Sequence, residues 1–505
     1  MSFKSKTVIA LLALLAISFS AFAADFLMGN LDRSGSRSIP AEAQADLSKS
    51  NVEEHGLQVR WTSATDSWVA GAAVTFGKMV YVGDAAGFMY AFDREDGSLL
   101  WKTCVEDVCP GPTPFFSGII GSPLVKGEKV YVGTLSGSLV ALDAKTGALL
   151  WTHTPAVAPP VDSVWGGPIS VRNMIIYALA PNDEFGIGIF GRGAVLAVDA
   201  KSGDEVWRSV LISDADFAAG SSGAAVWNTT PTYSPELDLI FVGTGQDTNP
   251  AGSDVGSDTF FAINASDGAI AWQTQVRTGD TWSVVLPFDP LNPTDTDIGD
   301  SPAVFKMNGQ LMVAAGDKRG IFWVLDATTG NILNNGGAGL DLFGGVLPGP
   351  GLTGGFNLDA GYVKNGDDVK HFAVFADQTT SLQAILDDDV NFPDDVCTFQ
   401  TTCPIFPDTG NLVILEGDGS AEVCRFIAPD TELFSPIHVG GMVIVRGAQD
   451  GTLYAVDFDD CSLISSLPLP SGFSLGANLS ISKGVIYTGG GFFGAPGLTA
   501  IEVAD

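Results

Sequence analysis

Short apolar runs alternate with polar turns along most of the chain, and the alternation within the runs has the two-residue period of β-strands. Residues 129–151 read KVYVGTLSGSLVALDAKTGALLW, and residues 79–101 read MVYVGDAAGFMYAFDREDGSLLW. In both phrases, apolar runs flank a loop of the type DAKTG, in which Asp accepts backbone N–H bonds and Gly takes a positive φ. Each phrase therefore predicts antiparallel strands joined by tight turns.

The spacing Asp-x3-Gly-x3-Trp recurs through the first two thirds of the chain. It is complete at Asp93-Gly97-Trp101, Asp143-Gly147-Trp151 and Asp199-Gly203-Trp207, carries Asn at Asn264-Gly268-Trp272, and keeps its first half at Asp326-Gly330. Weaker units follow at residues 371–426, 441–467 and 485–505, and the run LQVRW at 57–61 can supply a strand that the last unit lacks. One such sheet cannot bury both of its faces, so we expect the eight units to stack with a Trp ring between neighbours.

The fold class that this repeat predicts is all-β, an eight-bladed β-propeller of four-stranded antiparallel blades. The repeat length varies from 50 residues (Trp101 to Trp151) to 65 (Trp207 to Trp272), which suits blades with loop insertions. A pair of β-sandwiches or a β-helix would not explain the recurring Trp. We expect a signal peptide at residues 1–23, an N-terminal extension at 24–56 and the propeller at 57–505.

Charge excludes some classes of partner. The chain has 58 acidic and 25 basic residues, a net charge of −33. Nucleic acid and anionic membranes are poor partners for such a surface, because it lacks a stripe of Lys and Arg. The acidic residues are expected to keep the protein in solution.

The first residues, MSFKSKTVIALLALLAISFSAFA, have the pattern of a secretory signal. Two lysines precede a short apolar run that ends in Ala-Phe-Ala, so cleavage is expected after Ala23. The apolar run is short for a bilayer span. We therefore expect a periplasmic or secreted protein without a membrane anchor.

Six cysteines are compatible with disulfides in an oxidising compartment. The close pairs Cys104/Cys109 and Cys397/Cys403 are the first candidates, and Cys424/Cys461 follows only by elimination. The motif CxxCH does not occur in these 505 residues, so we expect no covalently attached haem in them.

Three segments in order resemble the eight-bladed quinoproteins that bind pyrroloquinoline quinone (PQQ), especially the branch similar to polyvinyl alcohol dehydrogenase and methanol dehydrogenase. They are DRSGSRSIPAEAQADLSKSNVEEHGLQVRW, GAAVWNTTPTYSPELDLIFVGTGQDTNP and GDKRGIFWVLDATTG. The resemblance implies PQQ near the propeller axis with Ca²⁺ bound to oxygen ligands, which Ca²⁺ prefers. It implies oxidation of a small-molecule or polymeric alcohol, with electrons passing to a soluble cytochrome or a similar acceptor.

The resemblance also implies roles for single residues. Glu184 and Gln246 match metal ligands, although the family usually has Asn at the position of Gln246. Trp227 matches the aromatic floor under the quinone, and Lys318 matches the cation that contacts the reacting oxygens of the quinone.

The proton acceptor departs from the family pattern. The chain reads GDTWS where the family has His-Asp-x-Trp-Asp, so Asp280 keeps the first acid and Ser283 replaces the second. We expect Asp280, which is also a candidate metal ligand, or a neighbouring carboxylate such as Asp297, to take the proton. The family's adjacent cysteines are replaced by Cys104 and Cys109, which could cap the cofactor or pin a loop.

Two other functions stay open on these residues. A propeller without catalysis could use its rim to bind protein or carbohydrate, since fold alone does not determine function. A hydrolase has less support, because no Ser-His-Asp order or paired carboxylate motif is present.

Overall fold

The computed structural model describes residues 25–109, 118–155, 162–182, 190–227, 229–249, 253–281, 296–342, 355–356, 360–377, 409–429, 431–472, 478–492 and 494–504. They form eight antiparallel sheets, which are the eight blades of a propeller. The predicted fold class is confirmed. The expected signal peptide and the Cys397/Cys403 pair lie outside these residues.

The strands of the first four blades follow one another along the chain. Blade 1 contains β2 (Val74–Phe76), β3 (Met79–Gly83), β4 (Phe88–Asp93) and β5 (Leu99–Cys104). Blade 2 contains β6 (Leu124–Lys126), β7 (Lys129–Gly133), β8 (Leu139–Asp143) and β9 (Leu149–His153). Blade 3 contains β10 (Asp162–Ser163), β11 (Ile169–Val171), β12 (Met174–Pro181), β13 (Ala194–Asp199) and β14 (Glu205–Val210). Blade 4 contains β15 (Thr232–Ser234), β16 (Leu239–Gly243), β17 (Thr259–Asn264) and β18 (Ile270–Gln275).

The remaining blades include the one that closes the ring. Blade 5 contains β19 (Ala303–Met307), β20 (Gln310–Gly316), β21 (Ile321–Asp326) and β22 (Leu340–Asp341). Blade 6 contains β23 (Gly355–Phe356), β24 (Gly361–Asn365), β25 (Asp368–Asp377), β26 (Thr409–Glu416) and β27 (Glu422–Pro429). Blade 7 contains β28 (Leu433–Val439), β29 (Met442–Gly447), β30 (Thr452–Asp457) and β31 (Leu463–Pro468). Blade 8 contains β32 (Leu479–Ser482), β33 (Val485–Thr488), β34 (Gly497–Val503) and β1 (Leu57–Ala64).

Ring closure joins the two ends of the propeller. Strand β1 pairs antiparallel with β34, Leu57 opposite Val503 and Ala64 opposite Gly497. The run LQVRW therefore supplies the missing strand, as the sequence predicts. Such closure ties the first and last parts of the propeller together, and each blade keeps only short edges.

Helices are short and few among the described residues. They are α1 (Ala41–Gln44), α2 (Lys49–His55) and α3 (Asp214–Ala218), with a 3-10 turn at Asn334–Gly337. None of these helices is both long and apolar enough to cross a lipid bilayer.

At five blade junctions within the described residues, a Trp of one blade lies on a Gly of the next. The indole Nε1 of Trp101 donates to Ala144 O at 3.1 Å, and a Cβ on Gly147 would lie 2.6 Å from the Trp101 ring. The same Cβ test brings Gly97 against Trp61 and Gly203 against Trp151. The Trp of one repeat therefore packs on the turn of the next blade, as expected of a ring buried between units.

Two disulfides are present among the described cysteines. Cys104 is bonded to Cys109, and Cys424 is bonded to Cys461 across blades 6 and 7. Both pairings agree with the expectation from the sequence.

We predict that Gly147→Ala destabilises the protein far more than Gly127→Ala. Both glycines have a positive φ, +71° and +63°, so both substitutions impose backbone strain of about 1–2 kcal/mol. Only Gly147 faces a Trp ring, whereas a Cβ on Gly127 would meet nothing within 4 Å. Overpacking should add about 1–3 kcal/mol at Gly147. Thermal unfolding of both variants checks this, and equal midpoints would contradict it.

A second prediction concerns acid stability. His371 is fully buried, its ring centroid is 4.7 Å from that of Phe305, and burial lowers its pKa from 6.5 to about 4. As the pH falls, the unfolded chain binds the proton first, so the stability that this residue contributes is complete above about pH 6.5 and is lost towards pH 4. His371→Leu should therefore reduce the loss of stability between pH 7 and pH 4.5 in urea unfolding. An unchanged pH dependence would contradict the prediction.

Candidate functional site

Three buried carboxylates meet where blade 4 joins blade 5. Asp258 precedes β17, Asp280 follows β18 and Asp297 precedes β19. One oxygen of each lies within 4.8 Å of one oxygen of the others. Three negative charges this close repel one another strongly in a buried setting unless cations or protons compensate them. We call these three residues the acidic cluster.

Lys318 supplies one compensating charge. Its Nζ lies 3.0 Å from Asp297 Oδ2, and both side chains are buried. Its backbone N–H donates to Asp297 O at 2.9 Å. The preceding residue, Asp317, holds the turn because it accepts from Ile321 N and from Trp323 Nε1, each at 2.9 Å. Burial raises the pKa of Asp317 to about 6.

The Asp297 carboxylate lies close against the backbone of Gly245 and Gln246. The backbone N–H of Gln246 donates to Asp297 Oδ1 at 2.8 Å. A Cβ on Gly245 would lie 2.7 Å from the same oxygen, so a larger residue would displace the carboxylate. The Gln246 side chain is buried beside this contact.

Thr296 joins the other two acids. Its backbone N–H and its hydroxyl both contact Asp280 Oδ2, and its Oγ1 lies 3.1 Å from Asp258 Oδ2. A hydroxyl carries one proton, which only one of these oxygens can accept at a time. A donor set of buried carboxylates with partial compensation fits a hard cation such as Ca²⁺, which binds oxygen ligands.

Trp227 forms a flat wall beside Lys318. The Lys318 Nζ lies 4.5 Å from the ring centroid of Trp227, and Trp165 contacts the same ring edge-to-face at 6.4 Å. The Nε1 of Trp227 is buried and has no hydrogen-bond partner among the described residues. A half-buried aromatic face with an unused donor and a neighbouring cation fits a planar ligand that carries oxygen acceptors.

Four of the residues singled out in the sequence thus lie together: Trp227, Gln246, Asp280 and Lys318. Glu184 and Ser283 lie outside the described residues. Asp297 was expected only as an alternative to Asp280, whereas Asp258 and Thr296 were missed. No motif marks them, because an acid before a strand and a Thr in a loop are common in this chain.

The Cys104–Cys109 disulfide belongs to a different part of the ring. Its loop follows β5, and Glu106 within it accepts from Gly118 N at 2.9 Å and from Ser136 Oγ at 2.6 Å. These contacts connect blades 1 and 2, whereas the acidic cluster is built by blades 4 and 5. The contacts support the loop-pinning role, and the cofactor-capping role stays a prediction.

We predict that Lys318→Met lowers the free energy of unfolding by about 3–5 kcal/mol, because it leaves a buried carboxylate without its cation. Lys306→Met is the matched control: Lys306 pairs with Glu236 at 2.9 Å on the surface, with side chains 39% and 58% exposed. An exposed pair contributes about 0–1 kcal/mol. Denaturant unfolding of both variants measures the difference, and equal losses would contradict a buried ion pair.

Two family models match parts of the chain. The model described as glucose/ethanol/alcohol dehydrogenase, beta-propeller domain, matches residues 161–335, which include the acidic cluster, Trp227 and Lys318. The model described as outer membrane protein assembly factor BamB matches residues 52–190.

The curated relatives include quinohemoprotein alcohol dehydrogenases and polyvinylalcohol dehydrogenases. Quinohemoprotein alcohol dehydrogenase ADH-IIG of Pseudomonas putida is 27% identical over 329 residues, which are 57% of this chain and 42% of that protein. Polyvinylalcohol dehydrogenase of Sphingopyxis sp. is 32% identical over 156 residues, 27% of this chain and 23% of the relative. These matches each span less than half the length of the relative.

Solved structures share the fold. Quinohemoprotein alcohol dehydrogenase ADHIIG from Pseudomonas putida HK5 superposes with a TM-score of 0.68 at 18% identity, covering 96% of this chain and 81% of that one. BamB from Moraxella catarrhalis gives a TM-score of 0.56 at 15% identity, covering 88% and 99%. Together, these comparisons confirm the resemblance of this eight-bladed propeller to the PQQ-dependent quinoprotein alcohol dehydrogenases.

Proposed function

We propose that this protein oxidises an alcohol with PQQ and Ca²⁺ as cofactors and passes the electrons to an external acceptor. The observation that carries the proposal is the buried acidic cluster beside Lys318 and Trp227. It lies within residues 161–335, the segment that matches the dehydrogenase family model. Both the chemistry and the family resemblance therefore point to the same part of the ring.

The metal would be held by oxygen atoms of the acidic cluster and its surroundings. We assign Asp258 and Asp280 to the metal, together with Gln246 and Glu184, which the family resemblance implies. Their oxygens suit Ca²⁺, which takes six to eight ligands. When bound, PQQ supplies the redox chemistry, and Ca²⁺ polarises the quinone that accepts the electrons.

Asp297 is the best placed proton acceptor. Its Oδ2 lies 3.0 Å from Lys318 Nζ, and Lys318 lies beside the Trp227 ring that we propose as the wall of the cofactor site, so this carboxylate is placed to accept a proton from an alcohol hydroxyl. Asp280 remains the second candidate for this role, because we also assign it to the metal. Lys318 and Trp227 would hold the planar cofactor by charge and by stacking.

Location and electron acceptor follow from the same proposal. The sequence pattern of residues 1–23 supports export to the periplasm or outside the cell. The relatives named quinohemoprotein carry haem, and one relative is named lupanine 17-hydroxylase [cytochrome c]. Because CxxCH does not occur in these 505 residues, we propose a separate soluble cytochrome or a similar acceptor.

A titration tests the proposal directly. Metal-stripped protein is titrated with PQQ with and without Ca²⁺ by quinone absorbance, and dye reduction is then measured with a panel of alcohols. We predict Ca²⁺-dependent binding and turnover. Asp297→Asn should keep PQQ binding but lower kcat about 10²–10⁴-fold, the range expected for loss of a general base.

The control for Asp297→Asn is Asp267→Asn, which removes the same charge from an exposed turn of blade 4. It should leave binding and turnover unchanged. Full activity in Asp297→Asn, with Ca²⁺-dependent PQQ binding kept but turnover lost in Asp280→Asn, would move the proton acceptor to Asp280.

A propeller without catalysis is the second candidate function. The match of residues 52–190 to the BamB family model favours it, since BamB is named there as an assembly factor. A folded protein that bound neither PQQ nor Ca²⁺ would contradict the dehydrogenase proposal. It would direct attention to protein or carbohydrate ligands of the rim.

A further inference from the structure

The segment that precedes the first blade runs around the inside of the ring. We call residues 25–39 the base strap. Its backbone accepts hydrogen bonds from inner strands of six blades: Phe26 O from Thr75 N (2.7 Å, blade 1), Leu27 O from Val125 N (2.8 Å, blade 2), Arg33 O from Tyr233 N (2.6 Å, blade 4), Ser34 O from Val304 N (2.7 Å, blade 5), Ser36 O from Tyr362 N (2.9 Å, blade 6) and Arg37 O from His438 N (3.0 Å, blade 7). The order along the strap is the order of the blades.

The base strap contacts the inner strands further along the chain than the residues of the acidic cluster. Asp297 precedes β19, and Ser34 of the strap contacts Val304 within β19, seven residues further along. Trp227 likewise precedes β15, and Arg33 of the strap contacts Tyr233 within that strand. In both cases the chain passes the site first and the strap six or seven residues later.

A buried arginine ties the strap across the ring. Arg37 is 1% exposed, and its guanidinium donates to Gly29 O (3.2 Å) within the strap and to Ser435 Oγ (2.6 Å) and Pro436 O (2.8 Å) of blade 7. On the other side, a Cβ on Gly29 would lie 2.7 Å from the side chain of Ser122, just before blade 2. Through Arg37 and Gly29, the strap thus connects blade 7 with the segment before blade 2, and these blades are not neighbours in the ring.

The start of the strap is also anchored. Asp25 pairs with Arg94 at 3.0 Å, and the two side chains are 1% and 7% exposed. The Asp25 carboxylate also accepts from Gly77 N at 3.0 Å. Phe26 is fully buried beside this ion pair. Buried polar and apolar contacts together hold this end of the strap against blade 1.

We propose that the base strap is a built-in plug that closes one end of the axial passage and holds the inner strands in register, so that the acidic cluster is reached only from the opposite mouth. The strap adds no strand to any of these sheets but accepts at least one backbone hydrogen bond from each of six blades. Such pairing also satisfies backbone groups that would otherwise be buried without partners. The proposal does not depend on which ligand the acidic cluster binds.

Cutting the folded chain tests the plug without removing it. A protease site is placed at Glu53–Glu54 in α2, where the side chains are 52% and 77% exposed. After cleavage, the N-terminal fragment should stay with the ring in gel filtration, because non-covalent contacts hold it. Separation of the fragment from a ring with an unchanged melting temperature would overturn the proposal.

Two variants of the full chain provide a matched comparison. Arg37→Met removes the buried tie, whereas Arg33→Met removes the same charge from an exposed strap residue. Hydrogen exchange is followed at the amides of Thr75, Val125 and Val304, which donate to the strap. Arg37→Met should raise their exchange at least tenfold and lower the melting temperature, and Arg33→Met should change neither.

Equal exchange in the two variants would overturn the plug. If Arg37→Met does not fold, the cleavage experiment on the otherwise native sequence still decides, because it leaves every strap contact in place. Rapid exchange at the three amides in the intact, uncut protein would also contradict the proposal, since it would show that the strap does not protect them.

Discussion

Five consecutive junctions of the ring, from the closure of blade 8 on blade 1 to the contact of blade 4 with blade 5, depend on a Trp of one blade that lies on a Gly of the next. The Gly must lack a Cβ, because the ring occupies that space, and the indole N–H must reach a carbonyl of the neighbouring turn. The same contact occurs at ring closure, where Trp61 of β1 lies on Gly97 and donates to Arg94 O at 3.2 Å. The strand that completes blade 8 therefore also forms its junction with blade 1.

The candidate site relies on one of these junctions. Trp272 of blade 4 donates to Ala327 O of blade 5 at 3.1 Å and packs on Gly330. This holds together the two blades from which the acidic cluster is built. Burying like charges is unfavourable, so such a cluster persists only where the surrounding structure is rigid. The favourable contacts of the junction thus offset the unfavourable burial of the three carboxylates.

The fold was readable from the sequence because the turn and the Trp recur in every early repeat. The sequence did not show which Trp packs on which Gly. Gly97 and Trp101 belong to one repeat, yet Gly97 contacts Trp61 and Trp101 contacts Gly147. In the site, a family resemblance identified Trp227, Gln246 and Lys318, because these residues lie within segments that resemble the family. Asp258 and Thr296 were not predicted as site residues, because they are distant from Asp280 in the sequence and come close to it only in the folded chain. The path of the base strap was not predicted for another reason: backbone hydrogen bonds hold it, and they require no particular pattern of side chains in the sequence.

The strap and the site are coupled through the strands they share. A side chain that precedes an inner strand is positioned by that strand, and β15 and β19 each donate one backbone N–H, from Tyr233 and Val304, to a strap carbonyl. Trp227 and Asp297 stand at the near ends of these two strands. Movement of either strand along the axis would change the spacing between the aromatic wall and the carboxylate, which Lys318 spans with contacts of 4.5 Å and 3.0 Å. The closed end of the ring therefore sets the geometry of the open end, although no strap residue has to touch the site.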